Sequence, residues 1–153
     1  MTRHGDSPAA LPAGRVAAID YGRRRIGVAI CDAERILASP HAVRIDSGDR
    51  DREADYFRRL AADEQIVGFI VGLPLHADGR PSPMSAEAEA FGGWLNRETG
   101  LPVVFHDERY TSAEAAGRLG GHGLTRAKKK ARSDAIAAQV VLENWLAASG
   151  EAK

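Results

Sequence analysis

Apolar positions along the chain recur with two periods. Val16 to Asp20 and Ile26 to Cys31 are short apolar runs on either side of a turn at Gly22, and they read as the two strands of a hairpin. A third, weaker run spans about Leu37 to Ile45. Pro40 inside it predicts an edge strand or a bulge, because proline donates nothing to a ladder. From Arg50 to Asp63 the period changes, and Tyr56, Phe57 and Leu60 fall on one face of a helix. Residues 66–74, IVGFIVGLP, are nearly unbroken in their apolarity, as expected for a strand covered on both faces. The loop LHADGRPSP follows, then a helix from about Met84 to Thr99 that stops at Gly100. Val103 to His106 is another short buried strand. Thr111-Ser-Ala-Glu114 matches a capping box that would start a helix at Ser112. GGHG at 120–123 is a break, and a last helix runs from about Ser133 to Ala148.

The order is three strands, helix, strand, helix, strand and two helices. Hairpin connections come first and helical crossovers later. This predicts an α/β fold: a mixed five-stranded sheet, antiparallel on one side and parallel on the other, with helices on its faces. A chain of 153 residues suits one domain, taken as 15–149, behind an N-terminal tail at 1–14 whose Pro, Gly, Ala and Ser content reads as disorder. That tail has no apolar segment of the kind a secretory signal carries. No apolar run reaches the length of a membrane span. The single cysteine, Cys31, allows no intramolecular disulfide and fits a reducing cytosol.

Charge changes the picture locally. With 21 basic and 21 acidic residues the net charge is zero, which argues against a polyanion surface spread over the whole molecule. Yet Arg23, Arg24 and Arg25 crowd the hairpin tip, and RAKKKAR at 126–132 carries five basic residues and no acid. Three acids sit at element ends. Asp20 ends the first strand, Glu108 follows the strand Val103 to His106, and Asp134 opens the last helix. Asp134, Ala138, Val141 and Trp145 share a helical face, which would turn Asp134 inward toward the sheet. Val16, Ala18 and Asp20 likewise share a strand face. Carboxylates that converge repel one another, and a hard divalent cation such as Mg²⁺ removes that penalty while also binding phosphate. Each acid also has a plainer reading. Asp20 could form the turn before Gly22, Asp134 could sit at a helix N-terminus favoured by the dipole, and Glu108 could pair with Arg109 or Arg50 at the surface. The lysine run could be a solvated loop, or it could neutralise backbone phosphates beside a metal site. His76, His106 and His122 lack metal-ligand spacing, and no cysteines accompany them, which argues against zinc.

Taken together, DYGRRRIGVAICD (20–32), IVGLPLHADG (70–79), DERYTSAEA (107–115) and DAIAAQVVLENWL (134–146) resemble the YqgF, or RuvX, family, across about residues 15–147. Its members are described as candidate pre-16S rRNA nucleases and as Holliday-junction-resolvase-like. The resemblance implies a ribonuclease-H-like fold and a bacterial, cytoplasmic, metal-dependent endonuclease using Mg²⁺ or Mn²⁺. Asp20, Glu108 and Asp134 would be its catalytic and metal-binding acids. Gly22, Arg25 and Gly27 would shape the first hairpin, and Arg109 and Thr111 would support the site. Arg23, Arg24, Lys128, Lys129 and Lys130, with Arg25, would hold the nucleic-acid backbone. The family loop after Gly-Leu-Pro often carries Asn and Met where this chain has His76 and Ala77. The expected partner is nucleic acid, with RNA preferred over branched DNA; the ribosome or its precursor is a further candidate partner, and the chain would act as a monomer or homodimer. Three functions stay open: rRNA processing, junction resolution, and a non-catalytic nucleic-acid-binding or ribosome-associated module.

Overall fold

The computed structural model describes residues 11–108 and 126–149, with the side chains of the last helix described over 133–148. Five strands, β1 (Arg15–Asp20), β2 (Arg25–Cys31), β3 (Ala38–Ile45), β4 (Ile66–Leu73) and β5 (Val103–Asp107), form one sheet in the order β3-β2-β1-β4-β5. β1 pairs antiparallel with β2, and β2 with β3, while β1–β4 and β4–β5 are parallel. This is the predicted mixed sheet. Pro40 does both things expected of it. Its strand lies at the edge, and the register slips where Val28 faces Ala42 but Ala29 faces Pro40, so His41 is the extra residue.

Helices α1 (Arg50–Glu64) and α2 (Pro83–Thr99) cover one face, and α3 (Arg126–Ser149) covers the other. Each start and stop has a local cause. The Asp49 carboxylate accepts from the N–H groups of Asp51 and Arg52, and α1 ends at Gln65 with φ of 57°. Ser82 and Ser85 cap one another reciprocally ahead of α2, Pro83 takes its first position, and Gly100 closes it at φ 73°. Alternation along the strands divides the core. Ala17, Ile19, Val28, Phe69 and Val71 pack under α1 and α2 with Phe57 and Phe91. Val16, Ala18, Ala29, Ile70 and Val104 pack under α3 with Ala138, Val141 and Trp145.

Two boundaries differ from those predicted. Helix α3 begins at Arg126, seven residues before Ser133, so the lysine run is helical and not a loop. Its Ala, Lys and Arg residues are strong helix formers with no Gly or Pro among them, and that propensity outweighs the crowding of charge. Residues 11–14, assigned to a disordered tail, are packed. Leu11 is buried above Gly68, and the Arg35 guanidinium donates to the carbonyls of Pro12 and Gly14. Residues 1–10, the helix expected at Ser112 and the break at 120–123 lie outside the described residues. No helix among those described is long and apolar enough to cross a membrane.

One buried ion pair locks α1 to the edge strand. Glu53 is only 2% exposed. Arg44 donates to both of its oxygens at 2.9 Å, and the Ser47 N–H and hydroxyl add bonds of 3.0 and 2.6 Å. Arg44 also lies 4.7 Å over the Tyr56 ring. The Arg44 guanidinium outweighs the cost of burial and holds the Glu53 carboxyl at about 2. A folded-state value below the unfolded one stabilises above roughly pH 4.5, and that contribution is lost as pH falls from there toward 2. Glu53→Gln should therefore cost about 3 kcal/mol at pH 7 and flatten the wild type's acid decline across that window. Urea titrations at a series of pH values would measure both effects.

Candidate active site at the carboxyl end of the parallel strands

Asp20 is the last residue of β1, and alternation turns it to the α3 face with Val16 and Ala18. Its partner across the ladder in β2 is Gly27. One step beyond the Ile19–Val71 pair, Gly72 of β4 comes alongside on the other flank. Neither neighbour presents a side chain to that face, so Asp20 stands between two stretches of bare backbone.

What lies above explains both glycines. A Cβ on Gly27 would collide with the carbonyl of Asp134, because α3 rests its backbone directly on β2 at this point. A Cβ on Gly72 would stand 3.0 Å from Glu108 Cγ and 3.0 Å from Val141 Cγ2, so this vacancy is the slot that Glu108 occupies. Gly22 serves the hairpin itself, since a Cβ there would meet the Arg25 carbonyl at 2.6 Å.

Asp134 lies eight residues into α3 and does not open it. The dipole reading therefore fails, because that effect is confined to the first turn. The predicted inward face is correct: Ala138, Val141 and Trp145 are buried, and Asp134 Oδ2 is shut off from solvent. Glu108 is also buried, at 7% exposure, and its N–H donates to the Leu73 carbonyl at 2.9 Å. Its proposed surface partner Arg50 pairs instead with Asp46 at 2.7 Å. The Glu108 carboxylate has a close neighbour at each oxygen. Asn144 Nδ2 donates to Oε1 at 3.2 Å, and His106 Nε2 lies 3.2 Å from Oε2. Burial pushes the His106 pKa below its ordinary value, against the pull of Asp107, so a positive charge on the ring beside Glu108 is disfavoured.

The three acids thus come from β1, from the end of β5 and from α3 to one end and one face of the sheet, around the Gly27–Gly72 floor. Their carboxylates do not form a ready cage. Among the described residues, no three His, Cys, Asp or Glu side chains are arranged to hold a metal ion. The basic residues divide. Arg23 is drawn onto α2 by a bidentate pair with Glu87, with Nε at 3.0 Å and Nη2 at 2.6 Å. Arg24 is exposed at the tip, and Arg25 begins β2. Lys128, Lys129 and Lys130 stand in α3 between about one and two turns before Asp134; their side chains lie outside the described residues, as do Arg109 and Thr111 altogether. His106, Asn144 and Gly72 were not predicted. His106 shares a strand face with Glu108 two residues on, and Asn144 follows Val141 by three on the helix. Those are the signals that could have found them.

A family model described as RuvX, Holliday junction resolvase, matches residues 14–148. The chain belongs to the RuvX family. Among relatives, the protein of Rhodopirellula baltica named "Putative pre-16S rRNA nuclease" is 48% identical over 88% of this chain and 78% of its own length. The protein of the same name from Dechloromonas aromatica is 41% identical over 86% and 90%. T. thermophilus RuvC, solved in complex with a Holliday junction substrate, shares the fold at a TM-score of 0.52 and 16% identity, over 92% of this chain and 98% of that one. The fold of this RuvX member is ribonuclease-H-like.

If α3 is seated through Gly27, a methyl group there must lift it. Gly27→Ala should destabilise the protein by about 1–3 kcal/mol. Gly93→Ala in α2, where an added Cβ would only come within 3.6 Å of Arg97 Nη1, should be neutral or gain about 0.5–1 kcal/mol. Denaturant melts of the two variants side by side measure the contrast.

Proposed function

We propose that the chain is a divalent-metal-dependent endonuclease of the cytoplasm that processes the 5′ end of precursor 16S rRNA, with Asp20, Glu108 and Asp134 as its catalytic acids. The observation that supports this reading is the placement of three acids, from β1, from just after β5 and from α3, at one end and one face of the sheet around Gly27 and Gly72. The names of the two relatives favour the rRNA substrate. The donor set is wholly carboxylate oxygen, which suits Mg²⁺ or Mn²⁺ and not a softer ion. Burial of Glu108 Oε2 and Asp134 Oδ2 adds a charge penalty that such an ion would offset. Held by these three residues, it would supply water activation and neutralise charge on the departing oxygen.

The chain's own residues do the rest. Asn144 donates to the Glu108 carboxylate and orients it, His106 lies beside it, and Gly27 sets the height of Asp134 above the sheet. Arg24, exposed and in no ion pair among the described residues, is available to a backbone phosphate. Arg25 at the hairpin and Lys128, Lys129 and Lys130 on α3 would add further contacts, each contributing salt-dependent affinity. Arg23 would have to release Glu87 to join them. Arg109 and Thr111 are assigned supporting roles by their motif. Water attacks the phosphorus in line and the 3′ oxygen leaves, giving a 5′-phosphate and a 3′-hydroxyl. The family's description favours a second reading, resolution of branched DNA, which would call for a two-fold dimer cutting both strands.

The test offers the purified chain a precursor 16S rRNA 5′ fragment, a four-way DNA junction and linear controls, with Mn²⁺ or Mg²⁺. The expected result is metal-dependent cleavage of the rRNA, abolished by EDTA and lowered about a hundredfold or more in Asp20→Asn. Asp20→Asn cleaving at the wild-type rate would overturn the assignment. Paired cuts in the junction alone would move it to the second reading. Salt-sensitive RNA binding without cleavage would make the chain a binding module.

A further inference from the structure

On the opposite face of the sheet from the three acids, a crevice of about 280 Å³ opens between the β1–β2 turn, the start of α1 and the middle of α2. It begins at Tyr21, the residue after Asp20. Consecutive strand residues leave opposite faces, so a nucleic-acid strand passing over the sheet's end meets the acids on one side and this crevice on the other.

Its walls are aromatic. Tyr21, Phe91 and Trp94 form a tilted series, with centroids 5.2 Å apart for the first pair and 5.5 Å for the second, at interplanar angles of 38° and 36°. Phe57 closes the floor, edge-on to Phe91 at 5.7 Å. The rim carries three acids, and each is already matched: Glu87 by Arg23 at 2.6 Å, Asp46 by Arg50 at 2.7 Å and Glu53 by Arg44 at 2.9 Å. These pairs leave no bare rim carboxylate for a cation, and Arg23, Arg44 and Arg50 are already engaged and not open to a phosphate. The arginines are spent on the acids, yet Arg50 still lays its guanidinium 5.4 Å over Trp94, presenting a second flat surface. The Tyr21 hydroxyl stands at the mouth beside Glu87, and burial and that carboxylate raise its pKa. What this lining suits is a neutral, planar ring with polar edges, and the volume admits one such ring.

We propose that the crevice binds a single unstacked nucleobase of the substrate, next to the nucleotide whose phosphate lies at Asp20. Unpaired bases are commonly held by stacking on aromatic rings and on guanidinium planes. The proposal rests on reading the Asp20 end of the sheet as a nucleic-acid cleavage site, and it adds a requirement: the substrate must be single-stranded or opened beside the cut.

The test is equilibrium binding in EDTA, where no cleavage is needed, so that its failure can be told from failure of the nuclease reading. A fluorescent single-stranded RNA is compared by anisotropy with copies in which one nucleotide at a time lacks its base. Wild type should lose about tenfold in affinity at one position. Tyr21→Leu should bind the intact RNA about tenfold more weakly and show no further loss for that abasic copy. Trp94→Leu serves as the second variant, because Tyr21 also packs on Phe91. Equal affinity of wild type for every abasic copy would overturn the proposal. So would an undiminished abasic penalty in both variants, or no binding of any of these RNAs. A chain that cleaves RNA yet shows no abasic penalty would lose this inference and keep the nuclease assignment.

Discussion

The candidate site depends on two missing side chains. Gly27 and Gly72 flank Asp20; without a Cβ at Gly27, α3 lays its backbone on β2, and without one at Gly72 the side chains of Glu108 and Val141 fill the space. A residue with a side chain at Gly27 would hold Asp134 away from the sheet. At Gly72 it would compete with Glu108 and Val141 for one volume. Packing in a protein interior leaves no slack for either. The placement of the acids at one end and one face of the sheet thus follows from close packing: strand alternation aims Asp20, Gly27 lowers α3, and the turn after β5 drops Glu108 into the slot over Gly72.

That arrangement carries an electrostatic cost, which the protein distributes. Carboxylates gathered away from water disfavour one another. Glu108 accepts a hydrogen bond from Asn144, which offsets part of that cost within the chain. The other face of the sheet handles its acids differently. There Glu53, Asp46 and Glu87 each take an arginine, and these pairs tie α1, α2, the hairpin tip and the edge strand together around an aromatic core. One face is stabilised by matched charge, while the other keeps its acids beside open backbone.

The sheet and the aim of two acids were legible in the sequence because both follow from short-range periodicity. Alternation alone put Asp20 with Val16 and Ala18, and helical spacing alone put Asp134 with Ala138, Val141 and Trp145. Pro40 announced an edge and a bulge through the chemistry of its nitrogen. What was not legible depends on contacts between distant elements. Asn144 finds Glu108 across 36 residues, and Arg23 finds Glu87 across 64. Local spacing could put Asn144 on the right helix face, but which partner Asn144 or Arg23 finds across the fold has no local signature. The start of α3 was missed for another reason. A run of like charge suggests a loop, whereas alanine, lysine and arginine without a breaker extend a helix.

The central claim is that Asp20, Glu108 and Asp134 act on one shared site, although they are contributed by three elements. Mn²⁺ titration followed by electron paramagnetic resonance addresses it without any substrate. Wild type should bind Mn²⁺ in a saturable event, and Asp20→Asn, Glu108→Gln and Asp134→Asn should each weaken that same event by about tenfold or more. Retention of wild-type Mn²⁺ affinity by any one of the three variants, folded as judged by circular dichroism, would contradict the account.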